Sequence, residues 1–171
     1  MVRVIVYVTV FIIATFFSKI KAQNQSQIPC SSIEYSQFNF WIGKWNVYNT
    51  KGELIGINNI VKTPNACAIQ ENWESKSSKS KGTSYNYYNE KDNSWNQVWI
   101  DNSGFSLVLK GNFENEKMIL KSDLITGEKG TYKNVIEWKK NEDNSVTQTW
   151  NYTDEQGKII KEVFKGIYKK Q

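Results

Sequence analysis

The residues best equipped for chemistry in this chain are one carboxylate and several uncharged amides that share strand faces with indole rings. In Ile69-Gln70-Glu71-Asn72-Trp73, the alternation of an extended strand puts Ile69, Glu71 and Trp73 on one face. In Gly82 to Tyr88, the same alternation groups Ser84, Asn86 and Tyr88, with Tyr85 and Tyr87 opposite, and in Trp95 to Trp99 it groups Trp95, Gln97 and Trp99. Gln148 and Trp150 share a face further along. Rings beside amides suit flat or sugar-like organic molecules, held by stacking and directional hydrogen bonds. In that reading Glu71, Asn86 and Gln97 orient a small organic ligand, Trp73, Trp95, Trp99 and Tyr88 wall it, and Ser84, Gln148 and Trp150 complete the site.

The same residues admit two other readings. A carboxyl buried among aromatics is pushed toward its neutral form, which suits Glu71 to general acid–base work with Tyr88 as proton partner. Alternatively, the polar groups satisfy one another in a filled core, as buried polar groups usually do, and the protein is structural or an interaction module that uses the outward Tyr85 and Tyr87.

Composition excludes much else. The chain has no His, and its single Arg is Arg3, which lies in a segment expected to be removed. Histidine-based triads, His-ligated haem, most zinc sites and bidentate Arg clamps on phosphate are therefore out of reach. The carboxylates are scattered, so no metal and no cofactor is expected. Lysines are interleaved with acids and form no basic block, which excludes a nucleic-acid footprint.

Met1 to Arg3 is a short basic start, Val4 to Phe17 is an apolar run, and Lys19-Ile20-Lys21-Ala22 leads into polar residues. That order predicts a secretory signal peptide over 1–22, too short in its apolar part to anchor the chain in a bilayer. A flexible leader over 23–33 and a single domain over 34–171 follow, in a secreted or periplasmic protein with no stable membrane insertion after cleavage. Removing Arg3, Lys19 and Lys21 lowers the formal net charge from +5 to +2. Cys30 and Cys67 then enter an oxidising compartment, where a disulfide is the expected state and a reactive free thiol the alternative. Asn24-Gln25-Ser26 and Asn151-Tyr152-Thr153 have the spacing of glycosylation acceptors. The oligomeric state is left open.

The elements that must position these side chains are short and alternating. Ser31-Ser32-Ile33-Glu34 has the spacing of a capping box and predicts a helical turn through Phe38. Beyond it, clusters such as Asn49-Thr50-Lys51-Gly52, Asp101-Asn102-Ser103-Gly104, Thr126 to Gly130 and Asp154-Glu155-Gln156-Gly157 read as turns. They leave ten predicted strands, at 44–49, 53–62, 67–75, 82–88, 94–100, 105–113, 117–124, 131–139, 145–152 and 158–168. A meander of that many strands in one small domain most economically closes into an all-β, antiparallel up-and-down barrel, with a two-sheet sandwich as the alternative. A barrel of this size encloses room for a small ligand.

Phe38-Asn39-Phe40-Trp41-Ile42-Gly43-Lys44-Trp45 resembles the opening of a bacterial family of secreted proteins that begins Phe-Asp-Phe-Trp-Ile-Gly-Glu-Trp. The likeness continues through Cys67, Glu71-Asn72-Trp73, Gly82 to Tyr88, Trp95 to Asp101 and Gly104 to Gly111, and covers about residues 38 to 168. It implies a calycin-like barrel, and Gly43-Lys44-Trp45 is similar to the Gly-x-Trp that opens lipocalin barrels after a short helix. Asn39 and Lys44 stand where that family has acids, and the mature chain has no Arg to lie over the opening Trp, a task for which Lys is a poorer planar partner. Calycin-like barrels include cofactor-free lyases and cyclases that use an interior Glu and Tyr, which is the form the acid–base reading of Glu71 and Tyr88 would take. Nitrobindin-like barrels share the shape but hold haem through His, which this chain lacks.

Overall fold

The computed structural model describes residues 28–127 and 130–171. The expected signal peptide, most of the leader and the first glycosylation sequon lie outside these residues. The chain opens with two 3-10 turns, Ile33–Ser36 and Asn39–Trp41. Strands follow as β1 (Gly43–Tyr48), β2 (Leu54–Lys62), β3 (Ala68–Ser75), β4 (Lys81–Asn89), β5 (Ser94–Asp101) and β6 (Ser106–Glu114). The remainder are β7 (Lys117–Lys121), β8 (Ile125–Gly127), β9 (Gly130–Lys140), β10 (Val146–Thr153) and β11 (Ile159–Lys170).

Each strand from β1 to β7 pairs antiparallel with the next, β7 pairs with β9, and β9 through β10 and β11 lead back to β1. The result is a closed antiparallel barrel of ten strands, the architecture expected from the turn spacing and consistent with a calycin-like fold. Closure leaves no free edge for these strands to template aggregation. The eleventh, β8, is a three-residue extension paired only to the start of β9. The sequence predicts one strand over 117–124, but β7 stops at Lys121; the turn expected at Thr126 to Gly130 falls where β8 and β9 reverse, with Gly127 opposite Gly130. Ser122 then breaks the ladder by donating from its Oγ to the Asp123 carbonyl at 2.8 Å and accepting the Asn134 N–H at 2.9 Å.

The helical turn is also built differently from the expectation. Ser32 Oγ donates to the Glu34 carboxylate at 2.5 Å and makes no bond to the backbone, so the capping box does not form and the turn is a short 3-10 piece. The second 3-10 turn inserts Phe38 and Trp41 into the barrel end at which β1 starts. Phe38 stacks on Trp41 with centroids 4.9 Å apart and meets Trp138 and Trp95 edge-on at 5.2 and 5.7 Å. These rings, with Trp45 and Tyr168, are fully buried and close this end. Trp45 donates its indole N–H to the Trp41 carbonyl at 2.9 Å, and Lys170 brings its ammonium to 5.3 Å from the Trp45 ring centroid. Cys30 and Cys67 form a disulfide with Cα atoms 5.1 Å apart, which ties the segment before the plug to the turn between β2 and β3.

The opposite end is open and is edged by the β1–β2, β3–β4, β5–β6 and β10–β11 connections. Three of these share one device. Asn49 Oδ1 accepts the N–H groups of Lys51 and Glu53, Asp101 Oδ1 those of Ser103 and Phe105, and Asp154 Oδ1 those of Gln156 and Lys158. Each turn closes with a glycine at positive φ, Gly52, Gly104 and Gly157, a backbone conformation that side chains disfavour.

Candidate functional site

Midway along the barrel a belt of polar side chains crosses the interior, carried by β2, β3, β4 and β5. Glu71 and Ser84 stand opposite each other in the β3–β4 ladder, as Asn86 and Gln97 do in the β4–β5 ladder. Ser84 Oγ donates to Glu71 Oε2 at 2.6 Å, and Asn58 Nδ2 donates to Oε1 at 2.7 Å. Asn86 Nδ2 donates to Ser84 Oγ at 2.9 Å, and Gln97 Nε2 donates to Asn86 Oδ1 at 2.7 Å. On the other side Tyr168 donates its hydroxyl to Gln148 Oε1, and Asn58 Nδ2 lies 3.5 Å from the same hydroxyl. Asn58 Oδ1 is buried without a partner among the described residues.

Burial governs the electrostatics. Desolvation raises the Glu71 pKa, opposed by the hydrogen bonds from Ser84 and Asn58, which favour the carboxylate. Desolvation likewise holds the Tyr168 phenol well above its ordinary value, with the nearby Glu71 charge acting in the same direction. Among the described residues no group of three or more His, Cys, Asp or Glu could hold a metal ion.

Above this belt, toward the open end, lies a cavity of about 220 Å³. Its floor is Glu71, Gln97, Gln148 and Tyr168; its walls are Trp73, Trp99, Leu107, Ile136, Trp150 and Phe164; its mouth is Ser80, Asp101 and Phe105. Two glycines keep it open. A Cβ on Gly56 would lie 2.1 Å from the Trp73 ring, and one on Gly82 would lie 2.1 Å from the Trp99 ring. Each indole therefore lies flat over a glycine of the neighbouring strand instead of projecting across the lumen. Trp150 is fixed from behind, its N–H donating to Asn134 Oδ1 at 2.8 Å. A larger depression of about 790 Å³ lies along β2 to β5, with Lys44, Asn58, Asn59, Asn72, Lys81 and Ile100 among its lining; it is a broad, open surface.

The structure brings Glu71, Trp73, Gln97, Trp99, Gln148 and Trp150 to the cavity. Ser84 and Asn86 stand behind it as hydrogen-bond partners of Glu71 and Gln97. Tyr88 and Trp95 are elsewhere, at the closed end. Tyr88 donates to Asn93 Oδ1 at 3.4 Å and packs edge-on against Tyr35 at 5.5 Å, whereas Trp95 is buried against Phe38 and donates to Gln37 Oε1 at 3.1 Å. Alternation gave their face correctly but carries no information on depth along the barrel, so Tyr88 is not the phenol beside Glu71. That phenol is Tyr168, which together with Asn58 and Phe164 the sequence reading did not single out. Tyr85 and Tyr87 do face outward, half exposed on the barrel surface.

Compared with known proteins, the chain matches no family model and no curated protein sequence.

Proposed function

We propose that the protein is a secreted or periplasmic calycin-type barrel, akin to the bacterial family that its opening motif resembles, that binds a small organic molecule in its interior. The observation that carries this reading is the cavity itself: an open, aromatic-walled space set on a floor of four polar side chains. A filled core would have no use for glycines that hold two indoles against the wall. The belt beneath shows the mutual hydrogen bonding expected of satisfied buried polar groups, and this supports the site by fixing the floor residues in place. The disulfide fits an oxidising compartment, and among the described residues no helix is long and apolar enough to cross a membrane.

Native mass spectrometry of the protein purified from its natural host, before and after unfolding, tests the reading. A recurring small species that Gln97→Ala or Trp99→Ala releases is expected. A consistently unliganded protein that also takes up no small organic molecule on incubation would overturn it.

Acid–base catalysis is a second reading, favoured by one observation: two cavity-floor groups, the buried carboxyl of Glu71 and the buried phenol of Tyr168, both approach the Asn58 amide. Should a ligand found by mass spectrometry be converted by the wild type, Tyr168→Phe is expected to abolish turnover while retaining binding.

A further inference from the structure

The cavity has a chemical bias that the binding proposal alone does not state. Among the described residues its lining holds two carboxylates, Glu71 and Asp101, and no Lys; His is absent from the chain. Asp101 at the mouth is occupied by its own turn, whereas Glu71 on the floor, 5% exposed, spends one hydrogen bond on each oxygen. A carboxylate has about four lone-pair sites, so acceptor capacity remains. Gln97, 3% exposed, uses its amide N–H on Asn86, and its Oε1 has no partner among the described residues. The floor is thus rich in acceptors, and among the described residues no cation lines the cavity beside its buried carboxyl group. Above it the faces of Trp73, Trp99 and Trp150 carry the negative side of their ring quadrupoles, which attract a cation and stack on a flat group. At about 220 Å³ the space is smaller than the roughly 300 to 1,000 Å³ that drug-sized ligands occupy.

We propose that the ligand is a small protonated organic amine, with its ammonium set against Glu71 and Gln97 and its apolar part between Trp73 and Trp99. This deepens the binding reading and rests on it. The acceptors fit the donors of an ammonium, and the cation supplies the partner that a lone buried carboxylate lacks. An anion would be repelled by an ionised Glu71 and find no Lys among the described residues of the lining, and a neutral hydroxyl brings a single donor and no charge to pair with the carboxylate.

Three isosteric probes decide the matter: benzylamine, benzyl alcohol and benzoate, titrated at neutral pH into the mature disulfide-bonded protein and followed by tryptophan fluorescence. Benzylamine is expected to bind at least about tenfold more tightly than benzyl alcohol, with benzoate weakest. Glu71→Gln should weaken benzylamine far more than benzyl alcohol and bring the two affinities close together. If the alcohol or benzoate matches or exceeds the amine, the amine proposal is overturned and the binding reading stands. If none of the three binds, the amine proposal is overturned, and the binding reading is decided separately by native mass spectrometry of the protein from its host. The wild-type series decides without the variant, so a Glu71→Gln protein that fails to fold does not remove the test.

Discussion

Glu71 and Ser84 face each other across the β3–β4 ladder, and the serine hydroxyl meets the carboxylate at 2.6 Å inside the barrel. Ser84 is itself held by Asn86, so the acid is fixed by a chain of donors that ends at Gln97 on the cavity floor.

That chain does not fully offset the loss of water. Because burial raises the Glu71 pKa above its unfolded value, the folded state holds the proton more tightly than the unfolded one. Stability from this group is complete below the ordinary carboxylate range and is lost as pH rises through the folded value. Glu71→Gln, which cannot ionise, is therefore expected to be more stable than wild type at neutral pH, with the gap closing as the pH falls toward 4.5, the ordinary value. Denaturant melts of both proteins across that range check the sign.

Gly82→Ala places a Cβ 2.1 Å from the Trp99 ring. The indole must then swing into the lumen, so the variant is expected to lose about 1–3 kcal/mol to overpacking and most of its capacity for ligand. In a Trp99→Ala background, Gly82→Ala should cost little further stability because the clash is gone, and binding should stay lost because the wall is missing. Thermal melts and probe titrations separate the two effects.

Removing the Cys30–Cys67 bridge frees a loop with a sequence separation of 37, for which chain entropy predicts a loss of about 4 kcal/mol. The bridge pins the segment that carries the aromatic plug, so hydrogen exchange in the double Cys→Ser variant should rise first in Ile33–Ser36 and Asn39–Trp41. Equal acceleration around the whole barrel would count against a local clamp.

Lys170 lies over Trp45, with its ammonium 5.3 Å from the ring centroid. Lys170→Met should cost about 0.5–1 kcal/mol, and Lys170→Arg should match or exceed wild type because a guanidinium stacks flat on the ring. Equilibrium unfolding of the three proteins measures both.

Legibility in the sequence is greatest where the code is local. Asn49, Asp101 and Asp154, each three residues before a glycine, mark turns that the structure builds from those same side chains and glycines. It is weaker where hydrophobicity and burial disagree. In β2 the inward residues are Gly56, Asn58 and Ile60, whereas Ile57 is only half buried and Val61 is exposed. A reader following apolar alternation has no reason to send Asn58 to the interior; its place follows from the partner it finds in Glu71 on the next strand. Tyr168 was visible in principle, two and four residues after Gly166 and Phe164 on one face of β11. What alternation could not supply was its height beside Glu71, which depends on how β11 meets β1 when the barrel closes.

The self-held turns around the mouth bear on the speed of exchange. Since Asn49, Asp101 and Asp154 each complete their turn with the turn's own backbone, these parts of the rim have their shape before any ligand arrives. Entry then waits on no folding or closing step of these turns, and association is governed by encounter and orientation. Differences in affinity among ligands would be expressed as residence times, set on the floor and walls and not at the entrance.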